Sequence, residues 1–379
     1  MDHRWGQHVV NVRVRRVALL IGAVVFAVGM IIMPTESTAE PYLAVESGLK
    51  CVSCHMNPSG GGKRNSFGAL YARDQLASRV LSKNDASDPW TGEVNRWFAV
   101  GGNWRGGYDR VDVPGLGDSS DVDVTRATIY AELRAIPNLL TIYFDEKIAP
   151  DDTDNREAYA LLTPADGKYT VKIGQFFLPF GLRLQDDRSF VRQSSGINFF
   201  TPDNGVELGL ELNKWSAQLA VSDGTAGGPN VPNKRQTSLS ASYVQPRWRV
   251  GASYNINEDD LGDRDMQSVF AGFRTGPISW LAELDYITDE SPVGDRDLYA
   301  SLLEGNWRIR KGQNLKLSYE YFDPDLDADE DELERYSLVW EYSPVQFVQT
   351  RVGLRAHNGV PNVASTNRDE LFAELHFYF

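Results

Sequence analysis

The chain has 379 residues, with 38 Lys and Arg against 52 Asp and Glu, a net charge of −14, two cysteines and 11% aromatic residues. A polytopic helical membrane protein needs several apolar runs of about 20 residues, and only one is present; two cysteines exclude a disulfide-rich scaffold. The acidic balance argues against a nucleic-acid partner, and 17 Phe, 16 Tyr and 9 Trp argue against disorder.

The single apolar run is N-terminal. Arg4, Arg13, Arg15 and Arg16 precede an unbroken apolar stretch from Val17 to Met33, and small residues lead to Ala39. This three-part layout predicts a secretory signal peptide over residues 1–39, cut after Ala39. An uncleaved membrane anchor would share the apolar run but has no need of the small-residue site. Either way the remaining chain works outside the cytoplasm.

Next comes Cys51-Val52-Ser53-Cys54-His55. A C-x-x-C-H run reads as attachment of a c-type haem. Two thiols three residues apart can add to the two vinyl groups of one porphyrin, and the adjacent imidazole can reach the iron. A disulfide would not need His55. A zinc site would need a second ligand pair nearby, and the mature chain has no further cysteine. Cys51 and Cys54 are therefore expected to carry one covalent haem c, with His55 as an axial ligand to its iron. The following Met56–Asn65 stretch is rich in Pro and Gly. Its three glycines suit close approach to a flat ring, and Lys63 and Arg64 suit its propionates; a solvated basic loop would read the same. Phe67, Leu70, Tyr71, Ala77 and Leu81 have helical spacing, interrupted by Asp74. Residues 40–94 thus form a small haem-binding segment.

From residue 95 to 379 the pattern changes to short alternating stretches. Trp248, Val250, Ala252, Tyr254 and Ile256 alternate with Arg249, Gly251, Ser253 and Asn255; Leu315, Leu317, Tyr319 and Tyr321 alternate with Asn314, Lys316, Ser318 and Glu320. Sixteen such segments start near residues 96, 122, 139, 155, 169, 205, 215, 235, 247, 265, 277, 296, 313, 332, 346 and 368. Tight connections, such as Asn213-Lys214 and Lys311-Gly312-Gln313, alternate with long polar ones, such as 223–234 and 323–334. An even strand count, one greasy and one polar face, and alternating turn lengths predict an all-β fold: an antiparallel outer-membrane barrel of about 16 strands. A soluble β-sandwich would show alternation without alternating loop lengths. Both barrel ends then fall on the periplasmic side and the long loops outside. These loops are acidic, Asp323 to Glu334 most of all, which would concentrate cations or simply be solvated. The longest connection, 178–204, would fold inward as in porins and bring Arg183, Arg188 and Arg192 to a constriction, or leave them in solvent.

The chain ends Leu375-His376-Phe377-Tyr378-Phe379, which resembles the terminal signal of barrel-inserted outer-membrane proteins. The whole plan (signal peptide, one C-x-x-C-H, the Phe67-Gly68 pair, a sixteen-strand barrel) resembles the fused monohaem cytochrome–porin family of the outer membrane, which includes Fe(II) oxidases. The Pro58–Gly62 stretch departs from the iron-oxidase pattern and leaves the substrate open. Separately, Lys172-Ile173-Gly174-Gln175-Phe176-Phe177-Leu178-Pro179-Phe180-Gly181-Leu182 is similar to a segment of the phosphate-selective porins.

The cytochrome–porin resemblance implies electron transfer across the outer membrane, with membrane lipid, a periplasmic electron-transfer protein and extracellular iron or another redox substrate as partners. A porin passing small solutes or anions, with haem as an accessory, is the competing reading. For the sixth iron ligand the mature chain offers only Met56, Met266, His357 and His376. If Phe377 and Phe379 face lipid, the period of two turns His376 into the lumen near the periplasmic rim, making it the expected ligand; a structural lumen histidine is the alternative.

Overall fold

The computed structural model describes residues 40–81, 90–151, 153–164, 166–224, 235–258, 262–290, 294–361 and 363–379. The expected signal peptide, residues 1–39, lies outside the described residues, as do Asp259 and Asp260 of one acidic loop.

Sixteen antiparallel strands close into one barrel, each hydrogen-bonded to its sequence neighbours and β1 to β16. In chain order they are β1 Phe98–Val113, β2 Gly117–Ile136, β3 Leu140–Ala149, β4 Asp154–Leu162, β5 Tyr169–Phe176, β6 Asp203–Glu211, β7 Trp215–Ser222, β8 Arg235–Val244, β9 Trp248–Glu258, β10 Arg264–Thr275, β11 Ile278–Asp289, β12 Arg296–Arg310, β13 Gln313–Asp323, β14 Leu333–Tyr342, β15 Val348–Asn358 and β16 Asp369–Tyr378. Closure runs from Asn103 opposite Tyr378 to Asp112 opposite Asp369. The expected starts agree with these strands to within a few residues; the largest gap is at β2, which begins earlier. The alternation of loop lengths holds less well. β1 and β2 are joined by three residues and β3 and β4 by four, at the end where long loops were expected.

The alternation is inside-out relative to a soluble protein. On β13, Asn314, Lys316, Ser318 and Glu320 are buried, while Leu317 is 63% exposed. Ile173, Leu208 and Val269 are likewise more than half exposed. Apolar side chains pointing outward and polar ones inward are stable only where lipid replaces water outside. Aromatic pairs sit at both rims: Trp215 and Tyr243, 4.9 Å between ring centroids, near the short turns, and Tyr319 and Tyr336, 5.0 Å, towards the long loops. Rings with one apolar and one wet side suit such borders.

Two segments fill the lumen. The first is N-terminal. Helix α1 (Pro41–Ser47) leads through a single tight turn at Cys51–Ser53 to helix α2 (Ser66–Tyr71), which widens into a π turn over Ala72–Leu76. The helical spacing expected to reach Leu81 therefore ends earlier: from Ala77 the backbone is extended, and the N–H groups of Ser78 and Arg79 donate to carbonyls of Ser343 and Pro344 in the β14–β15 turn. This segment lies at the short-turn end. The second is the β5–β6 connection, which carries helix α3 (Phe190–Ser195) and packs against β11, β12 and β13. It folds inward, as expected. Asp186 anchors it, accepting from Arg335 at 3.1 Å and Arg355 at 2.7 Å. Burial raises the Asp186 pKa, but Arg355 and Arg335 outweigh that and hold it well below the usual carboxylate range.

Two expectations follow. Leu317→Arg, at the middle of the lipid-facing side of β13, should cost about 2–4 kcal/mol in denaturant unfolding of vesicle-reconstituted barrel, against a smaller loss for Leu317→Ala. Asp186→Asn should weaken two charged hydrogen bonds, each worth about 1.5–3 kcal/mol, seen as faster trypsin cleavage after Arg188 in the folded barrel.

Candidate functional site

The C-x-x-C-H turn is built locally. The N–H groups of Cys54 and His55 donate to the Cys51 carbonyl at 3.1 and 3.0 Å. Asn65 clamps it: its amide donates to the carbonyls of Val52 and Ser53, both at 3.2 Å, and its carbonyl caps α2 by accepting from the Gly68 N–H at 2.9 Å. The sequence pattern held a cue for this role, an Asn just before an apolar helical run. Gly68 is required here, because a Cβ on it would lie 2.1 Å from the Cys54 carbonyl oxygen. Gly61, in the left-handed region at φ 76°, lies against Arg183; its Cβ would come within 2.7 Å of the Arg183 Nε.

The barrel wall holds this segment on all sides. Glu40 meets Lys316 of β13 at 2.6 Å, and Tyr42 donates to Glu341 of β14 at 3.1 Å. Lys50 meets Glu211 of β6 at 3.0 Å and donates to the carbonyls of Leu212 and Trp215. Asn57 bridges Glu157 of β4 and Lys172 of β5, both at 3.0 Å. Lys63 meets Glu132 of β2 at 3.1 Å, and its N–H donates to the Tyr143 hydroxyl.

Between the segment and the wall a cavity remains, enclosing about 1220 Å³ of atom-free space together with its opening to solvent. Cys51, Cys54 and His55 line one side of it, and Ser216, Gln218, Ser240, Ser242, Arg249 and Phe270 of β7 to β10 the other. Leu178–Arg183 and Arg192 of the inner loop close it. Cys51 and Cys54 are not bonded to each other. Burial pushes the Cys54 thiol up to about 11. Burial, with Arg64 adding to it, pushes His55 down to about 3, against the pull of the Gly61 and Gly62 carbonyls. The imidazole is thus neutral at physiological pH, the form that can donate a lone pair to a metal. Its Nδ1 has no hydrogen-bond partner.

The cavity is also short of negative charge. Arg183, Arg192 and Arg249 all reach it, and each carries a buried N–H with no acceptor among the described residues. Burial and the neighbouring Arg183 push Arg192 down to about 9. Buried unpaired N–H groups are costly, so the cavity suits a ligand with carboxylates. These features together fit a haem: two thiols, a neutral imidazole, apolar walls from Leu43, Leu76, Leu182 and Phe270, and cationic donors for two propionates.

The structure distributes the expected site residues unevenly. Cys51, Cys54, His55 and Arg64 line the cavity. Lys63, expected beside a propionate, does not; it is 2% exposed and committed to Glu132. Arg183 and Arg192, expected at a pore constriction, face the C-x-x-C-H cavity instead, while Arg188 lies on the far side of the inner loop. Arg249 carried no sequence signal beyond being the inward residue of its strand. His376 does face inward, fully buried and 5.1 Å from the Tyr378 ring. It sits on β16, half-way round the barrel from β8, with Arg64 stacked on Tyr378 at 3.9 Å, and it does not line the cavity.

Beyond the inner loop, towards the long-loop end, lies a second cavity lined by Arg105, Arg126, Arg188, Arg351 and Arg355 together with Asp109, Asp186, Asp187 and Glu374.

No protein-family model and no curated relative matches the chain. Solved structures do. An anion-selective porin from Comamonas acidovorans aligns with a TM-score of 0.60 at 11% identity, over 74% of this chain and 99% of its own. A loop L8 deletion mutant of OmpT, an outer membrane protein of Vibrio cholerae, aligns at 0.58 and 12%, over 74% and 99%. Pseudomonas putida OprB aligns at 0.57 and 8%, over 75% and 94%. At these identities the likeness is one of fold: the chain has the closed sixteen-strand barrel seen in outer-membrane porins.

Proposed function

We propose that this protein transfers electrons across the outer membrane through one haem c, covalently held inside its barrel by Cys51 and Cys54 with His55 on the iron. The observation that carries this reading is the opening of the C-x-x-C-H turn into a luminal cavity whose other walls supply guanidinium groups lacking acceptors. When bound, the haem would supply one-electron redox chemistry, its potential set in part by axial ligation and by the surrounding charge. The chain's own residues do the rest. The two thiols tether the group, Asn65 and Gly68 fix the turn that presents them, and Arg183, Arg192 and Arg249 neutralise its carboxylates. Segment 40–81 and the inner loop cross the lumen at two levels, which favours electron passage over bulk diffusion. The acidic loop between β13 and β14 draws cations to that rim, and dissolved Fe(II) is the substrate class it suits. A periplasmic electron-transfer protein at the short-turn end would complete the path.

Haem staining of a denaturing gel tests the tether: the wild-type band should stain and Cys51→Ala/Cys54→Ala should not. An unstained wild-type band from cells competent in cytochrome c maturation would remove the reading. In the stained protein, Arg183→Gln and Arg192→Gln should each lower the midpoint potential in a spectroelectrochemical titration, because a nearby positive charge favours the reduced state.

A second reading, a porin for small anions, draws on the fold likeness to an anion-selective porin and on the five arginines of the upper cavity. Planar-bilayer recordings separate the two. Electron transfer through a plugged lumen predicts conductance well below that of an open sixteen-strand porin in the same salt, whereas large anion-selective currents favour the porin.

A further inference from the structure

We propose that the chain supplies one axial ligand only, His55, and that the cavity leaves the opposite side of a bound haem open to a small exogenous ligand of the carbon monoxide or cyanide class. This rests on the haem reading above. It follows from the position of every imidazole and thioether among the described residues, of which there are four besides His55. Met56 adjoins His55 and does not line the cavity, so it cannot take the opposite face. Met266 is fully buried in an apolar cluster with Phe176, Phe180 and Ile197. It stands four residues along β10 from Phe270, the β10 residue that does line the cavity, a separation of roughly 13 Å at the usual rise of a strand. His357 of β15 lies with its Nε2 3.2 Å from Glu370. His376 lies on β16, whereas the wall facing the C-x-x-C-H turn is made by β7 to β10.

What faces the turn instead is serine hydroxyls, the Gln218 amide, Arg249 and Phe270, none of them a strong ligand for haem iron. Lys50 also lines the cavity, but its ammonium is committed to Glu211 and to two backbone carbonyls. Tyr71 lines it too, beside the C-x-x-C-H turn on the same segment rather than on the facing wall. The wall therefore offers space and hydrogen-bond donors rather than a sixth ligand. A group that accepts hydrogen bonds and brings its own lone pair would be retained there.

The test is spectroscopic and uses the full mature protein in detergent. A pyridine haemochrome first establishes that one c-type haem is present; its absence defeats the haem reading and is thereby distinguished from failure of this inference. With haem present, the dithionite-reduced protein should show high-spin features and a shifted, sharpened Soret band on adding carbon monoxide, and the oxidised protein should bind cyanide. His376→Ala, His357→Asn and Met266→Leu, each checked for the heat-modifiable mobility of a folded barrel, should leave these spectra unchanged. A six-coordinate low-spin spectrum in both redox states, indifferent to carbon monoxide and cyanide, overturns the inference. So does any one of these variants, or Lys50→Gln or Tyr71→Phe, that converts a low-spin spectrum to high-spin.

Discussion

A closed sheet of sixteen strands encloses more volume than its inward side chains fill, and those side chains are polar because the outward ones face lipid. The contents of the lumen are consequently governed by charge pairing. Lys316, Lys172 and Glu132, all buried on the wall, find partners in Glu40, Asn57 and Lys63 of the N-terminal segment. On the inner loop Asp186 does the same for Arg335 and Arg355. Donors and acceptors are exchanged between wall and filling, and the wall adds partners of its own, Glu207 to Lys172 at 2.8 Å and Arg134 to Glu132 at 2.6 Å. Removing one partner from such a buried pair costs far more than the pair contributes, which ties the position of the segment to the register of the strands. The cavity beside Cys51 and Cys54 is the space this arrangement leaves, and three arginines there have N–H groups without acceptors.

The strands were legible because a barrel wall has two chemically opposite faces and a period of two, and each strand states that period independently. Leu315, Leu317 and Tyr319 against Asn314, Lys316 and Ser318 suffice to orient β13. The first hairpin was harder. Residues Gly117–Arg126 of β2 pair with β1 but not with β3, and Gly117 to Asp123 are exposed, so no second face imposes alternation on them. The helical spacing through Leu81 failed for a tertiary reason: the β14–β15 turn captures the N–H groups of Ser78 and Arg79, offering the backbone a better partner than another turn of helix.

The site was legible only where it is written locally. Cys51, Cys54 and His55 form one tight turn, and their spacing alone puts them forward as a candidate haem site. Lys63 and Arg64 are neighbours with the same charge, and nothing in their order reveals that Glu132 takes the first and leaves the second at the cavity. Arg183, Arg192 and Arg249 come from a loop, a helix and a strand well apart in sequence. Their convergence depends on the inner loop entering the barrel beneath Arg335 and Arg355, and on β9 standing opposite the C-x-x-C-H turn. The inward direction of His376 followed from the period of two; its distance round the circumference from β8 did not, because alternation fixes which face a residue is on and says nothing of what lies across the lumen.

The inner loop has a cavity on each side, Arg183 and Arg192 turned to one and Arg188 to the other. Anything reaching the lower chamber from the long-loop end must pass or displace that partition, and the other approach to the two half-buried cysteines is the cavity's own opening to solvent, with strands on the remaining sides. This has a consequence for biogenesis. An enzyme that attaches haem to cysteine is itself protein-sized and has no route to Cys51 and Cys54 through a closed wall, and burial keeps the Cys54 thiol protonated and poorly nucleophilic. On the proposed function, covalent attachment must therefore come before the first and last strands meet, while the segment is still an accessible peptide. The barrel would then fold around an already loaded cofactor, and a chain that closed first would be a dead end rather than a slow precursor.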